Sequence, residues 1–151
     1  MTKNRLLKYS EYFILFIPLI SVYIPTVVYP VTNEIGREVP FRPPGYVFAI
    51  VWPILLILLG ISWFKRRKLG WILNLIYILL TILLSIWFII YDNSKIAGLI
   101  DIILCLLITI GLFLFEIKKC KYLDNFTLIP LILWLSFASI LNIYAIKYEI
   151  N

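Results

Sequence analysis

Apolar residues fall along the chain in five long runs, separated by short polar or basic breaks. The runs cover about 12–28, 45–64, 71–91, 96–115 and 126–146. Each is close to the roughly 20 residues a helix needs to cross a hydrocarbon core about 30 Å thick. The third, Trp71 to Tyr91, holds no charge. The first is interrupted by Pro18 and Pro25, and its basic leader (Lys3, Arg5, Lys8) also has the form of a signal peptide. No small-residue cleavage site follows it, so a retained helix is expected. The breaks are Lys65-Arg66-Arg67-Lys68, Asp92-Asn93-Ser94-Lys95, and a loop holding Lys118, Lys119 and Lys121. Connections this short favour antiparallel neighbours in a bundle. The pattern predicts an all-α protein, one domain over 1–151, with five transmembrane helices.

Composition removes the soluble alternative. Of 151 residues, 63% are apolar and 15% charged, with a mean hydropathy of +1.01. An ordinary soluble domain has about 45–50% apolar and about 25% charged residues. One core of this size could not hide the difference.

Charge adds an orientation. Fourteen basic residues against eight acidic ones give +6, which in a soluble protein would suggest nucleic acid. Here the basic residues cluster between apolar runs, where orientation signals and lipid headgroup contacts belong. Membrane lipid is therefore the expected partner, and nucleic acid is not. With five spans, the N-terminus, the second loop and the fourth loop share one side. That side holds ten Lys and Arg, and the other holds Arg37, Arg42, Lys95 and Lys147. The positive-inside rule then puts the N-terminus in the cytosol and the C-terminus outside or in a lumen.

Little in the chain points to catalysis. It has no histidine, hence neither the commonest general base nor the commonest metal ligand. Cys105 lies in an apolar run and Cys120 in a basic loop, so neither a disulfide nor a metal pair is expected. No nucleophile-and-base arrangement or phosphate loop is visible. The expectation is no catalytic residue, no metal ligand and no required cofactor.

Aromatic residues make up 17% of the chain. Tyr12, Trp71, Tyr91 and Tyr148 fall near span ends, where interfacial belts form. Trp52, Trp87 and Trp134 lie deeper and need another reason.

Two stretches supply one. The first loop and second run read Val39-Pro40-Phe41-Arg42-Pro43-Pro44-Gly45-Tyr46-Val47-Phe48-Ala49-Ile50-Val51-Trp52-Pro53. Pro43 and Pro44 fix an extended entry to the helix, and Trp52 follows about two helical turns later. The last run contains Pro130, Trp134, Phe137-Ala138 and Leu141-Asn142. Trp134, Ala138 and Asn142 stand four apart on one helical face. A broad ring beside a small residue leaves room for a flat apolar ligand. The same stripe also suits helix packing, since small residues let membrane helices approach.

Together these stretches resemble the TspO/MBR family, the tryptophan-rich sensory proteins that include the mitochondrial translocator protein, and the likeness covers nearly the whole chain. The resemblance implies a five-helix bundle with a pocket near one end, capped by the first loop. It implies binding of tetrapyrroles such as protoporphyrin IX and haem, and in some members cholesterol. By position it places Phe41, Pro43, Pro44, Trp52, Trp87, Trp134, Phe137, Ala138 and Asn142 at that pocket. A homodimer rests on the resemblance alone, as the chain has no Gly-x-x-x-Gly. Two departures stand out. Glu38-Val39-Pro40-Phe41 replaces the family's Lys-Pro-x-Trp, and the third run offers Thr81 and Ser85 where the family carries Gln and Asn. A more apolar pocket is expected.

Other residues carry weaker signals. Arg42 beside the Pro-Pro is placed to meet a porphyrin propionate as a charge-assisted pair. Asp101, an acid inside a span, is a functional candidate by default, or else reaches the interface or takes a hydrogen bond from Thr or Tyr. Leu141, Tyr144 and Lys147 fit a loose cholesterol pattern and equally an interfacial anchor. The leading expectation is a membrane-embedded binder of tetrapyrroles or sterols, in sensing, sequestration or transport. A small transporter or channel is the alternative, with Thr81, Ser85, Asp101, Thr109, Ser136, Ser139 and Asn142 as its polar lining. Light-dependent porphyrin breakdown is a third reading.

Overall fold

The computed structural model describes residues 11–29, 36–119 and 123–150. Lys3, Arg5, Lys8, Cys120 and Lys121 lie outside the described residues. Every regular element among those described is helical: α1 (Ile17–Val28), α2 (Gly45–Arg66), α3 (Trp71–Asn93), α4 (Lys95–Lys119) and α5 (Ile129–Ile150). Short 3-10 segments cover Glu11–Leu15 and Leu123–Leu128. At 1.5 Å per residue, α2 to α5 run about 33–38 Å. Four apolar helices are thus long enough to cross a hydrocarbon core, α1 being a shorter fifth. The set fits a multi-pass membrane protein.

The first run is not one helix. Pro18 occupies the opening turn of α1. It has no N–H to donate and its ring crowds the carbonyl one turn back. An α-helix entering from Tyr12 cannot continue through it, and the chain takes the tighter 3-10 form instead.

The other helices overrun the boundaries drawn at charges. Lys65 and Arg66 end α2, Lys118 and Lys119 end α4, and α3 continues to Asn93. Cations in a last turn complement the carbonyl end of the helix dipole; Lys65, Lys118 and Lys119 are exposed, while Arg66 turns inward to Glu116. Only Ser94 separates α3 from α4. Its hydroxyl accepts from the Ala97 amide at 3.3 Å, capping α4.

Helix α1 packs on α2 and α3, α3 on α4, α4 on α5, and α5 back on α2. The order around the bundle is α1-α2-α5-α4-α3. At Gly60 of α2 the Leu15 carbonyl comes so close that a Cβ would stand 2.1 Å from its oxygen. Only glycine admits that crossing.

Polar residues face inward beside a leucine-rich core, while many aliphatic side chains also face outward, as a bilayer allows. Ser62, Thr81, Ser85, Asp101, Thr109, Glu116, Ser139 and Asn142 are buried, whereas Ile78, Ile82, Ile100, Leu107 and Leu133 are exposed. The hydroxyls of Thr81, Ser85, Thr109, Ser136 and Ser139 donate at 2.7–2.8 Å to the carbonyl four residues earlier in their own helices. Each is satisfied without a partner helix or water.

Candidate functional site

Residues 36–44, the described part of the first loop, pack over one end of the bundle. Gly36 turns the chain with φ 67°, a left-handed conformation that glycine takes without strain. The Gly36 amide donates to the Tyr91 hydroxyl at 3.3 Å. Leu141 packs so tightly there that a Cβ on Gly36 would lie 3.1 Å from its Cγ. Val39 is buried with Leu141 and Ala145 of α5, and Phe48 and Phe137 pack against them. Lys95 at the start of α4 stands 3.9 Å from Glu38. Pro44 has φ −56° and ψ 149°, the extended entry expected of the Pro-Pro pair.

Beneath the loop lies a cluster of rings from α2, α3 and α5. The Trp52 ring centre is 6.4 Å from Trp87 and 6.5 Å from Trp134. Phe48 meets Trp134 edge-on at 5.5 Å, Phe137 lies 5.6 Å from Trp134, and Tyr91 lies 5.8 Å from Trp87. These separations suit tilted and edge-to-face aromatic pairing. The Trp87 indole donates to the Gly98 carbonyl at 3.0 Å, fixing its ring. The Trp134 indole nitrogen is buried with no hydrogen-bond acceptor among the described residues. A buried donor left without a partner is costly, so a ligand acceptor reaching it would be favoured. Ala138 is buried in the core shared by these rings.

Of the residues named from sequence, Trp52, Trp87, Trp134 and Phe137 meet directly. Phe41 does not join them; its ring stands edge-on to Tyr144 at 5.1 Å. The Arg42 guanidinium lies 5.4 Å above the Phe48 ring, at the lid of the cluster. Pro43 is half-buried and Pro44 exposed. Asn142 is buried and donates to the Ala138 carbonyl at 2.7 Å, its side-chain oxygen having no donor among the described residues. Leu141 faces inward while Tyr144 and Lys147 face out, so the loose cholesterol pattern does not form one face.

One reading needs correction: Tyr91 is no interfacial anchor; it is buried and holds the first loop. Asp101 is buried in the bundle, and one carboxylate oxygen has no partner among the described residues. Phe48 escaped sequence reasoning, because an aromatic residue inside an apolar run carries no mark of its own.

A second cluster, also missed, lies at the opposite end. Glu116 is 1% exposed. Its Oε1 accepts from Ser62 at 2.7 Å and Tyr77 at 2.6 Å, and its Oε2 stands 3.8 Å from Arg66. Trp63 stacks parallel to Tyr77 at 5.9 Å and donates to Asn74 at 2.8 Å. Outside the bundle, Arg67 donates to Glu11 and to the Phe64 carbonyl. That hydrogen bond, then the charge of Arg67, holds the Glu11 carboxyl below its usual range.

A model of the TspO/MBR family matches residues 14–148 of the chain. No curated protein matches it.

Proposed function

The chain belongs to the TspO/MBR family, and on that premise we propose that it is a membrane-embedded binding protein for tetrapyrroles, sterols or both. It crosses the bilayer five times with its N-terminus in the cytosol. The 3-10 turn adds about 10 Å to the roughly 18 Å of α1, close to one crossing. Ten basic residues on one side against four on the other support the orientation. Sensing, sequestration or transport of the ligand is the role.

The observation that carries this reading is the ring cluster of Phe48, Trp52, Trp87, Trp134 and Phe137 under a packed loop. A planar macrocycle replacing ring-on-ring contacts keeps their stacking and burial. Its polar edge would meet the Trp134 indole N–H inside and Arg42 at the lid. Protoporphyrin IX and haem have this shape. With no histidine in the chain, haem would be held by its ring face and propionates rather than by imidazole ligation. The back-bonded hydroxyls favour an apolar chamber over a water-filled path.

Titration of the detergent-purified protein with protoporphyrin IX tests the reading through quenching of Trp fluorescence. Quenching should saturate, and Trp134→Phe and Ala138→Phe should each weaken binding up to about tenfold, the value of one good aromatic contact. Absent quenching, or two variants that match the parent, would overturn it. Illumination of the complex separates binding from breakdown: stable porphyrin absorbance means binding alone.

A further inference from the structure

A groove of about 770 Å³ opens between α3 and α4 at the end carrying the basic loops. It is distant in sequence and chemistry from the aromatic cluster. Leu69, Trp71, Ile72, Ile76 and Leu79 form one wall, and Ile108, Leu112 and Phe115 the other. Gly111 lies on the open floor, where a Cβ would meet nothing within 4 Å. The volume falls within the range of about 300–1,000 Å³ usual for ligand sites, and the lining is almost wholly apolar.

Lys118 and Lys119 follow Phe115 by three and four residues and Gly111 and Leu112 by seven. Helical geometry therefore sets both on the groove's own stripe of α4, just beyond its mouth. Lys68 precedes Leu69 on the facing wall. All three lysines are exposed; of the nearby acids, Glu116 is turned into the bundle and Glu11, which feels the charge of Lys68, is paired with Arg67. Trp71 stands at the rim, 71% exposed, as a ring at the membrane–water boundary does. An apolar slot within the leaflet ends in a crescent of cations at headgroup height.

We infer that this groove is a binding site for one anionic phospholipid, its acyl chain lying over Gly111 and its headgroup phosphate between Lys68, Lys118 and Lys119. The inference needs only that the chain lies in a bilayer and is independent of the ligand under the first loop. A zwitterionic lipid carries the same phosphate, but its own ammonium offsets the pairing with the lysines, so it is not retained and the site discriminates by net headgroup charge. Each lysine near an anionic surface is worth about a fivefold change in affinity.

Detergent-purified protein incubated with dioleoyl phosphatidylglycerol or dioleoyl phosphatidylcholine provides the test, read by native mass spectrometry and by the thermal midpoint. The parent should retain one phosphatidylglycerol and gain thermal stability, with phosphatidylcholine giving neither. Lys118→Gln and Lys119→Gln should each weaken retention about fivefold. Gly111→Phe, which fills the open floor, should abolish retention while leaving protoporphyrin quenching as in the parent; Gly111→Leu serves if the larger ring disturbs folding. Equal retention of both lipids overturns the inference. So does retention unchanged by the lysine and Gly111 substitutions. A parent dimer that Gly111→Phe dissociates, with lipid retention unaltered, would assign the groove to a second copy of the chain and overturn it as well.

Discussion

Replacing Glu116 removes the acceptor that Ser62 and Tyr77 share, leaving the pair, themselves 2.7 Å apart, able to satisfy only one of their two donors, and takes a counter-charge from Arg66. A buried donor stranded in this way costs about 1–3 kcal/mol. Glu116→Ala should therefore lower the thermal midpoint by several degrees, since about 1 kcal/mol shifts a protein of this size by about 2–4 °C. Glu116→Gln keeps a carbonyl acceptor and should lose less. If both variants melt with the parent, the cluster contributes nothing to stability. The sequence already contained a signal for this residue. Glu116 follows Thr109 by seven and Leu112 by four, continuing the buried stripe of α4. Read from sequence, the apolar run ends at 115, one residue before it, because Lys118 and Lys119 follow. Asp101 stood out because it interrupts an apolar run, whereas Glu116 merely precedes a charged one. Phe48 was invisible for the opposite reason, one apolar residue among many.

Between elements, the tightest crossing is that of α2 with the 3-10 turn at Gly60 and Leu15. A methyl group there has nowhere to go, because the obstacle is backbone rather than the tip of a side chain. Gly60→Ala should destabilise the protein by about 1–3 kcal/mol, the usual cost of overpacking. Gly111→Ala, whose Cβ meets nothing, should be close to neutral. Thermal melting of the two side by side checks the contrast; equal midpoints would mean that the turn can move aside. Four of the helices were legible from run length alone, because a bilayer sets how long an apolar segment must be. Their ends were not. Charges mark where the membrane stops, and a helix whose last turn favours cations continues past that point. The split of the first run was foreshadowed by Pro18, yet only packing against α2 shows where the 3-10 segment sits.

At the scale of the whole molecule, six of the basic residues described, Lys65 to Lys68, Lys118 and Lys119, gather at the end opposite the first loop. An impermeant thiol reagent applied to intact cells, in a Cys120→Ser background, should label Arg37→Cys and spare Leu69→Cys until the membrane is permeabilised. The reverse pattern would invert the orientation. The ring order α1-α2-α5-α4-α3 also divides the barrel's walls by strength. Helices α3 and α4 are joined through the single residue Ser94 and packed along their length, as are α4 and α5. By contrast α2 and α5 have the sparsest backbone contact of any packed pair among the described residues. What closes their seam is the rings, Phe48 and Trp52 against Trp134. Parting one aromatic pair costs about 0.5–1.5 kcal/mol beyond the area it uncovers, far less than separating two fully packed helices. On the proposed reading that seam is a side door: a ligand dissolved in the bilayer would enter laterally there, turning the rings aside beneath the packed loop.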